Sequence, residues 1–224
     1  MPTSTSPLHR VPSHVVAYIL SHLGTVQDLG VAIRSHRIFL YAFRDAPHSI
    51  PRDIVKEQIP DNVLPFVIAL LESTQVNRDD RATGTRAVLD RLAAALSDNG
   101  ETAKKRLTTL SLPDLAFCSL NYATSESLTQ VMTQDVKGLA RSSLKFKCKL
   151  SNHKPTLDET FRITRAFLRF QILCNLFCVA DSDNPLFEDD ANDLRTSFYS
   201  PFSPWVNEHI MCVFSWSQKM VCAG

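Results

Sequence analysis

Cysteine side chains are the first residues of this chain whose type and spacing could bind a metal ion. Cys174 and Cys178 lie four residues apart, so adjacent turns of a helix could present two thiolates to zinc. A structural zinc site needs four ligands, and the nearest histidines, His153 and His209, lie far along the chain. We therefore expect no metal ion, and reduced cysteines packed as small hydrophobic residues. They are Cys118, Cys148, Cys174, Cys178, Cys212 and Cys222.

Histidine and serine residues could supply a base or a nucleophile, but none stands in a known catalytic pattern. The 7 histidines include no H-E-x-x-H spacing, and the chain has no G-x-S-x-G turn. It also has no P-loop and no dinucleotide-binding glycine pattern. We expect no catalytic residue, no cofactor and no enzymatic activity.

A run of basic residues could bind phosphate groups or an acidic partner. Between Lys137 and Lys154 there are five lysines and one arginine and no acidic residue. The acidic run from Asp181 to Asp193 offsets it, and the whole chain has 24 basic against 23 acidic residues. This near balance argues against a protein built around nucleic acid, and binding through the basic run is kept as a minor alternative.

Composition narrows the class of protein. With 224 residues, 44% of them hydrophobic, the chain can bury a substantial core, and only 6 glycines disfavour collagen-like and glycine-loop architectures. The segment from Met1 to Arg10 has no apolar signal core, and the longest apolar stretch, Ala166 to Ala180, is interrupted by Arg169 and Asn175. We expect an intracellular protein, cytoplasmic or nuclear, without a membrane span.

Three short amphipathic helices are predicted between Leu8 and Phe43. Ser13 is a candidate N-cap for the first, Gly24 a candidate left-handed C-cap, and Thr25 or Gln27 opens the second. The third surrounds residues 38–43. Three helices within about 36 residues cannot bury all their apolar faces on one another. A surface is therefore left for the rest of the chain or for a partner to cover.

The remaining elements are also helical by their apolar spacing, and no segment shows strand alternation. Residues 46–61 contain three prolines and predict a linker with a short helix over 53–58. Further helices are predicted over 62–73, over 79–97 with a stop at Asn99-Gly100, from Ser111, and over 127–144. The fold class is all-α.

Two late helices have the clearest signals. Thr156 and Glu159 have the spacing of a capping box, and apolar residues then repeat at three and four residues up to Phe177. The arginines at 162, 165 and 169 are expected on the opposite side. Residues 181–193 are predicted as an acidic connection, and Ser203-Pro204 begins the last helix.

The N-terminal segment resembles an F-box, the three-helix module that docks on the Skp adaptor of cullin-based ubiquitin ligases. The family pattern is Leu-x-x-Leu-Pro, Ile-Leu with a third leucine, Asp/Ser-Leu and Cys/Ser-x-Arg, and this chain follows it with Val11 in place of the second leucine. The corresponding residues are Leu8, Val11 and Pro12; Ile19, Leu20 and Leu23; Asp28 and Leu29; and Ser35 and Arg37. Residues 162–177 and 202–213 resemble patches of uncharacterised filamentous-fungal F-box-like proteins.

The resemblance implies a domain plan and a set of partners. Residues 1–6 would be disordered, 7–48 would form the F-box-like module, and 49–224 a helical domain that is shortened relative to the family. The partners would be a Skp-type adaptor and an unknown protein substrate, with no membrane. The residues carried over to the adaptor interface are Leu8, Pro12, Ile19, Leu20, Leu23, Leu29 and Ile33.

A helical structural or regulatory protein with no ligase link is the main alternative. The same apolar pattern would arise if the three helices packed only within the chain. Burial of Leu8, Pro12 and Leu20 against the C-terminal helices would favour this second interpretation.

Overall fold

The regular elements in the described part of the chain are all α-helices, as the apolar spacing predicts. The computed structural model describes residues 11–77, 80–142, 155–178 and 188–222, and these ranges hold eleven helices and no strand. The helices are α1 (Ser13–Ser21), α2 (Val26–Ser35), α3 (Arg37–Asp45), α4 (Ser49–Gln58), α5 (Leu64–Thr74), α6 (Arg81–Ser97), α7 (Glu101–Thr108), α8 (Leu112–Ser142), α9 (Leu157–Phe177), α10 (Glu188–Tyr199) and α11 (Pro204–Cys222).

The first three helices lie where the sequence predicts them, but their ends differ in detail. Thr25 is the N-cap of α2, because its hydroxyl accepts a hydrogen bond from the Asp28 N–H. Ser13 is not a cap: its hydroxyl donates to Asp45 at 2.6 Å, and Pro12 holds the N-cap position. The predicted left-handed cap at Gly24 is also wrong, since α1 ends at Ser21 and the His22 N–H bonds its last carbonyls.

Helix α4 replaces the linker predicted over residues 46–61. It begins at Ser49, and Ile50, Ile54 and Val55 on one side of it are buried. Pro51 does not break the helix because it lies in the first turn, where a backbone N–H would have no partner within the helix. Pro51 therefore marks a helix start; the short helix predicted over 53–58 is confirmed, but it begins four residues earlier than predicted, at Ser49.

Helix α5 forms the centre of the core. Every residue from Leu64 to Ser73 is buried, and α5 contacts α6, α7, α8 and α9. A helix that is apolar on all sides must be surrounded by other elements, so α5 requires this shell of helices.

The turn between α6 and α7 confirms the predicted stop at Asn99-Gly100. Both residues have positive φ, 54° and 88°, and a side chain on Gly100 would meet the Asp61 carbonyl at 3.3 Å. Helix α7 was not predicted, because it is mostly polar and only Ala103 and Leu107 of its residues are buried.

Helix α8 joins two helices that the sequence predicts separately, one from Ser111 and one over 127–144. Residues rich in serine and threonine link the two halves, and such residues often end helices. Here their hydroxyls bond the carbonyl four residues earlier, as Thr124 does to Leu120 and Ser125 to Asn121. The side chains are satisfied within the helix, so the predicted break is wrong.

The C-terminal helices pack through α9. The capping box of Thr156 and Glu159 is confirmed, and α9 contacts α5, α8 and α11. The acidic connection predicted over 181–193 is helical from Glu188, where α10 begins. Leu194 and Phe198, one turn apart in α10, are buried and anchor this helix to the core. Arg169 is also buried, so its predicted placement on an outer face of α9 is wrong.

One hydrophobic cluster runs through most of the described helices. It extends from Val16 in α1 to Ile210 in α11, and a small second cluster joins Ala166, Phe167 and Val213. Helices α1–α3 therefore contribute to the same core as α4–α10.

Candidate partner-binding surface

Helix α1 has a buried face and an exposed apolar face. Val16 and Leu20 are buried, whereas Pro12, Val15, Tyr18 and Ile19 are exposed. We call these four exposed residues the α1 stripe. Their spacing of three and four residues places them on one side of the helix.

The α1 stripe is strongly accessible. Tyr18 is 66% exposed and Ile19 is 53% exposed. The Tyr18 ring lies against the His22 ring with centroids 4.3 Å apart and planes tilted by 52°, and His22 Nδ1 lies 2.9 Å from the Tyr18 carbonyl oxygen. Intrahelical contacts thus hold a large aromatic side chain on the surface. Isolated exposed apolar residues are common, but four on one helical face form a surface suited to a protein partner.

The residues predicted for an adaptor interface divide between surface and core. Pro12 and Ile19 are exposed and belong to the α1 stripe. Leu20 and Leu29 are buried, and Leu23 and Ile33 are half-buried against the core. Leu8 lies outside the described residues. The structure therefore brings two of the seven together on an accessible face.

Sequence reasoning did not select several exposed apolar residues on these helices. Val15 and Tyr18 complete the α1 stripe, while Val31 on α2 and Tyr41 on α3 are more than half exposed. The available signal was the helical position of Val15 and Tyr18, on the opposite side of α1 from Val16 and Leu20. The family pattern names leucines first, and the leucines of this segment are mainly those that the core needs.

Helix α2 is attached to α8 by polar contacts as well as by packing. The Val26 N–H donates to the Ser119 hydroxyl at 3.0 Å, and Gln27 Nε2 donates to the Ala116 carbonyl at 3.0 Å. Ser119 in turn donates to Gln58 Oε1 on α4 at 2.6 Å. These hydrogen bonds orient α1–α3 on the rest of the chain, and they use polar groups of the first two residues of α2.

The cysteines do not all pack in the core as predicted. Burial raises the pKa of the Cys118 thiol to about 12, so this thiol is protonated and unreactive at neutral pH. Cys174 is half-buried, and Cys178, Cys212 and Cys222 are exposed, which contradicts the prediction for them; Cys148 is outside the described residues. Within the described ranges, no group of three histidine, cysteine or acidic side chains is placed to hold a metal ion.

A small cavity lies between α9 and α11. It has a volume of about 170 Å³ and is lined by Met132, Ile163, Ala166 and Val213 beside His209 and Cys212. Burial, followed by the charge of Arg165, lowers the pKa of His209, and its Nδ1 is buried without a hydrogen-bond partner among the described residues. A neutral imidazole in a mainly apolar cavity offers no activated nucleophile by itself.

The basic run from Lys137 to Lys154 and the acidic run from Asp181 to Asp193 lie largely outside the described residues. Residues 143–154 and 179–187 are not described, nor are the side chains of residues 136–142. The proposal of phosphate binding by Lys145, Lys147 and Lys149 therefore stays a prediction.

Comparisons with known proteins found no match. No protein-family model, no curated protein and no solved structure matches the chain. None of the helices in the described ranges has the length and apolar character needed to span a bilayer.

Proposed function

We propose that the chain is an F-box-like interaction protein that binds a Skp-type adaptor through α1–α3 and recruits a protein substrate to a cullin ubiquitin ligase. In this proposal the chain performs no catalytic step itself. The observation that carries it is the α1 stripe, because it combines two residues of the family pattern, Pro12 and Ile19, with exposed Val15 and Tyr18.

The physical basis is the burial of exposed apolar area. A few well-packed anchors dominate most protein interfaces, and tyrosine is favoured among them because its ring is large and has few rotatable bonds. Tyr18 and Ile19 are the largest exposed side chains of the α1 stripe. We expect them to contribute most to adaptor binding.

A second function, a helical structural or regulatory protein, has its own supporting observation. Leu20 and Leu29 are buried within the chain, and α2 is bonded to α8. These residues need no partner to cover them. The two functions differ over the α1 stripe, which only the first uses.

Adaptor binding by variants of the α1 stripe distinguishes the two functions. We expect the purified full chain to bind a recombinant Skp-type adaptor and Tyr18→Asp with Ile19→Asp to abolish binding, because charged groups would be buried at the interface. Both residues are exposed, so the variant should keep its fold. Aspartate at Leu20 would be uninformative, since Leu20 is only 1% exposed and its loss would disturb the core.

Leu157→Asp is the matched control. Leu157 is a 91% exposed leucine in the first turn of α9, and the helices packed closely on α1 are α3 and α4, not α9. We expect this variant to bind the adaptor normally. The proposal fails if the folded wild-type chain does not bind any Skp-type adaptor, or if the Tyr18 and Ile19 double variant binds as well as Leu157→Asp.

A further inference from the structure

A cleft lies where the end of α5 meets α6 and α7. The cleft has a volume of about 380 Å³, and its walls include Val76, Gly84, Ala87 and Val88. Glu72, Arg91 and Arg106 form its polar part, and Gln75 and Asn77 complete the lining. The volume is in the range of small-molecule sites.

The two arginines are held in place by one buried carboxylate. Glu72 is 6% exposed; its Oε2 accepts from Arg91 Nε at 2.8 Å, and its Oε1 accepts from Arg106 Nε at 3.1 Å. Arg106 Nη1 also donates to the Thr109 hydroxyl at 2.9 Å. Both guanidinium groups are thus oriented before any ligand arrives, which lowers the entropy cost of binding.

Among the described residues that line the cleft, this arrangement leaves one excess positive charge. One carboxylate faces two guanidinium groups, and in the described part of the chain the terminal nitrogens of Arg91 have no protein acceptor. The carboxylate of Asp114 is bonded by Gln75 and Ser111 and pairs with neither arginine. Because Arg91 is 49% exposed, its free N–H groups are accessible to a ligand.

We propose that this cleft binds a small organic anion, with a carboxylate or phosphate group on Arg91 and Arg106 and an apolar body against Val76, Ala87 and Val88. A guanidinium group offers paired N–H donors that match the oxygens of either group. The apolar wall favours an organic anion over an inorganic one. The site is formed by α5–α7 and does not depend on the function proposed for α1–α3.

Calorimetric titration of the full chain at low salt tests the site with three probes: phenyl phosphate, benzoate and inorganic phosphate. We expect saturable binding at one site per chain, with inorganic phosphate the weaker of the two phosphates. The comparison of phenyl phosphate with benzoate shows which anionic group the arginines prefer.

Four variants locate the binding. Arg91→Gln should weaken the better organic probe by about tenfold, because a charge-assisted pair of hydrogen bonds is lost. Arg86→Gln removes the same charge from an exposed position on α6 and should leave binding unchanged. Glu72→Gln should tighten binding severalfold, because the loss of the competing carboxylate charge outweighs the loss of arginine orientation. Ala87→Met should block the organic probes while keeping both arginines.

The variants also separate binding from folding, since Glu72→Gln and Ala87→Met make opposite predictions for affinity whatever their effect on stability. The proposal is overturned if none of the probes binds saturably. It is equally overturned if Arg91→Gln and Arg86→Gln lose affinity to the same extent, or if Ala87→Met leaves organic probes unaffected.

Discussion

Arg169 is a buried cation held by carbonyl groups and aromatic rings. Its guanidinium group donates to the Val206 carbonyl at 3.3 Å and to Asn207 Oδ1 at 2.7 Å, and it lies 3.6 Å from the centre of the Phe202 ring. Burial, followed by the charge of Arg165, lowers its pKa to about 10. No carboxylate in the described ranges pairs with it, so ring and carbonyl contacts compensate its charge.

Removal of Arg169 should destabilise the contact between α9 and α11. We expect Arg169→Ala to lower the free energy of unfolding by about 3 kcal/mol or more, because it leaves a cavity and unpaired polar groups. Arg169→Lys should also destabilise, since lysine lacks the planar fork. Arg162→Ala, on the exposed side of α9, is the control and should change the stability by about 1 kcal/mol or less. Urea unfolding measures all three, and equal effects at positions 162 and 169 would contradict this role.

Cysteine accessibility gives a second test at the scale of single residues. At pH 8 in the native protein, Cys178, Cys212 and Cys222 should react readily with a thiol reagent because they are exposed. Cys118 should react only after denaturation, because it is buried and its pKa is raised to about 12. Mass spectrometry of labelled peptides measures each site. Rapid native labelling of Cys118 would show that the contact of α8 with the core opens.

At the scale of helices, apolar spacing predicted the elements more reliably than residues that commonly begin or end helices did. Apolar spacing located α1, α6 and α9 because each has a distinct buried face, and a run of apolar residues located α5, which is buried on all sides. Proline and serine signals misled at α4 and α8, where Pro51 lies in a first turn and Ser125 bonds within its own helix. Such cases depend on the position of a residue relative to helix ends, which a single sequence leaves ambiguous.

The start of α7 depends on Asp98, whose carboxylate accepts bonds from the N–H groups of Gly100 and Thr102. The Thr102 hydroxyl makes the largest contribution to a pKa lowered from 3.8. A carboxylate whose pKa is lowered on folding stabilises the folded state at pH values above its ordinary pKa. This stabilisation is lost as the pH falls through the folded-state pKa. Asp98→Asn should therefore lower Tm at pH 7, and the difference should shrink below pH 3.8. A Tm difference that is constant from pH 7 to pH 2 would contradict this.

At the scale of the whole molecule, burial decides which residues of a sequence pattern remain available to a partner. The pattern named seven interface residues, but Leu20 and Leu29 are required by the core, and of the described ones only Pro12 and Ile19 are exposed. The cleft at Arg91 and Arg106 could not be predicted either. Its three charged residues come from three helices, and only the packing of α5, α6 and α7 brings them to one carboxylate.

The shared core makes a prediction about how the chain unfolds. Val16 and Leu20 of α1 belong to the same cluster as residues of α5 and α9, and the start of α2 is bonded to Ser119. We therefore expect α1–α3 to unfold together with α4–α9 rather than as a separate module.

Hydrogen exchange of Leu20→Ala tests this cooperativity. The substitution should cost about 2–5 kcal/mol, and it should raise exchange in α5 and α9 as well as in α1. Ile19→Ala, at the neighbouring exposed position, is the matched control and should leave both regions protected. If Leu20→Ala increases exchange only in α1–α3, the first three helices are an independent unit, and adaptor binding could then proceed with that unit detached from the core.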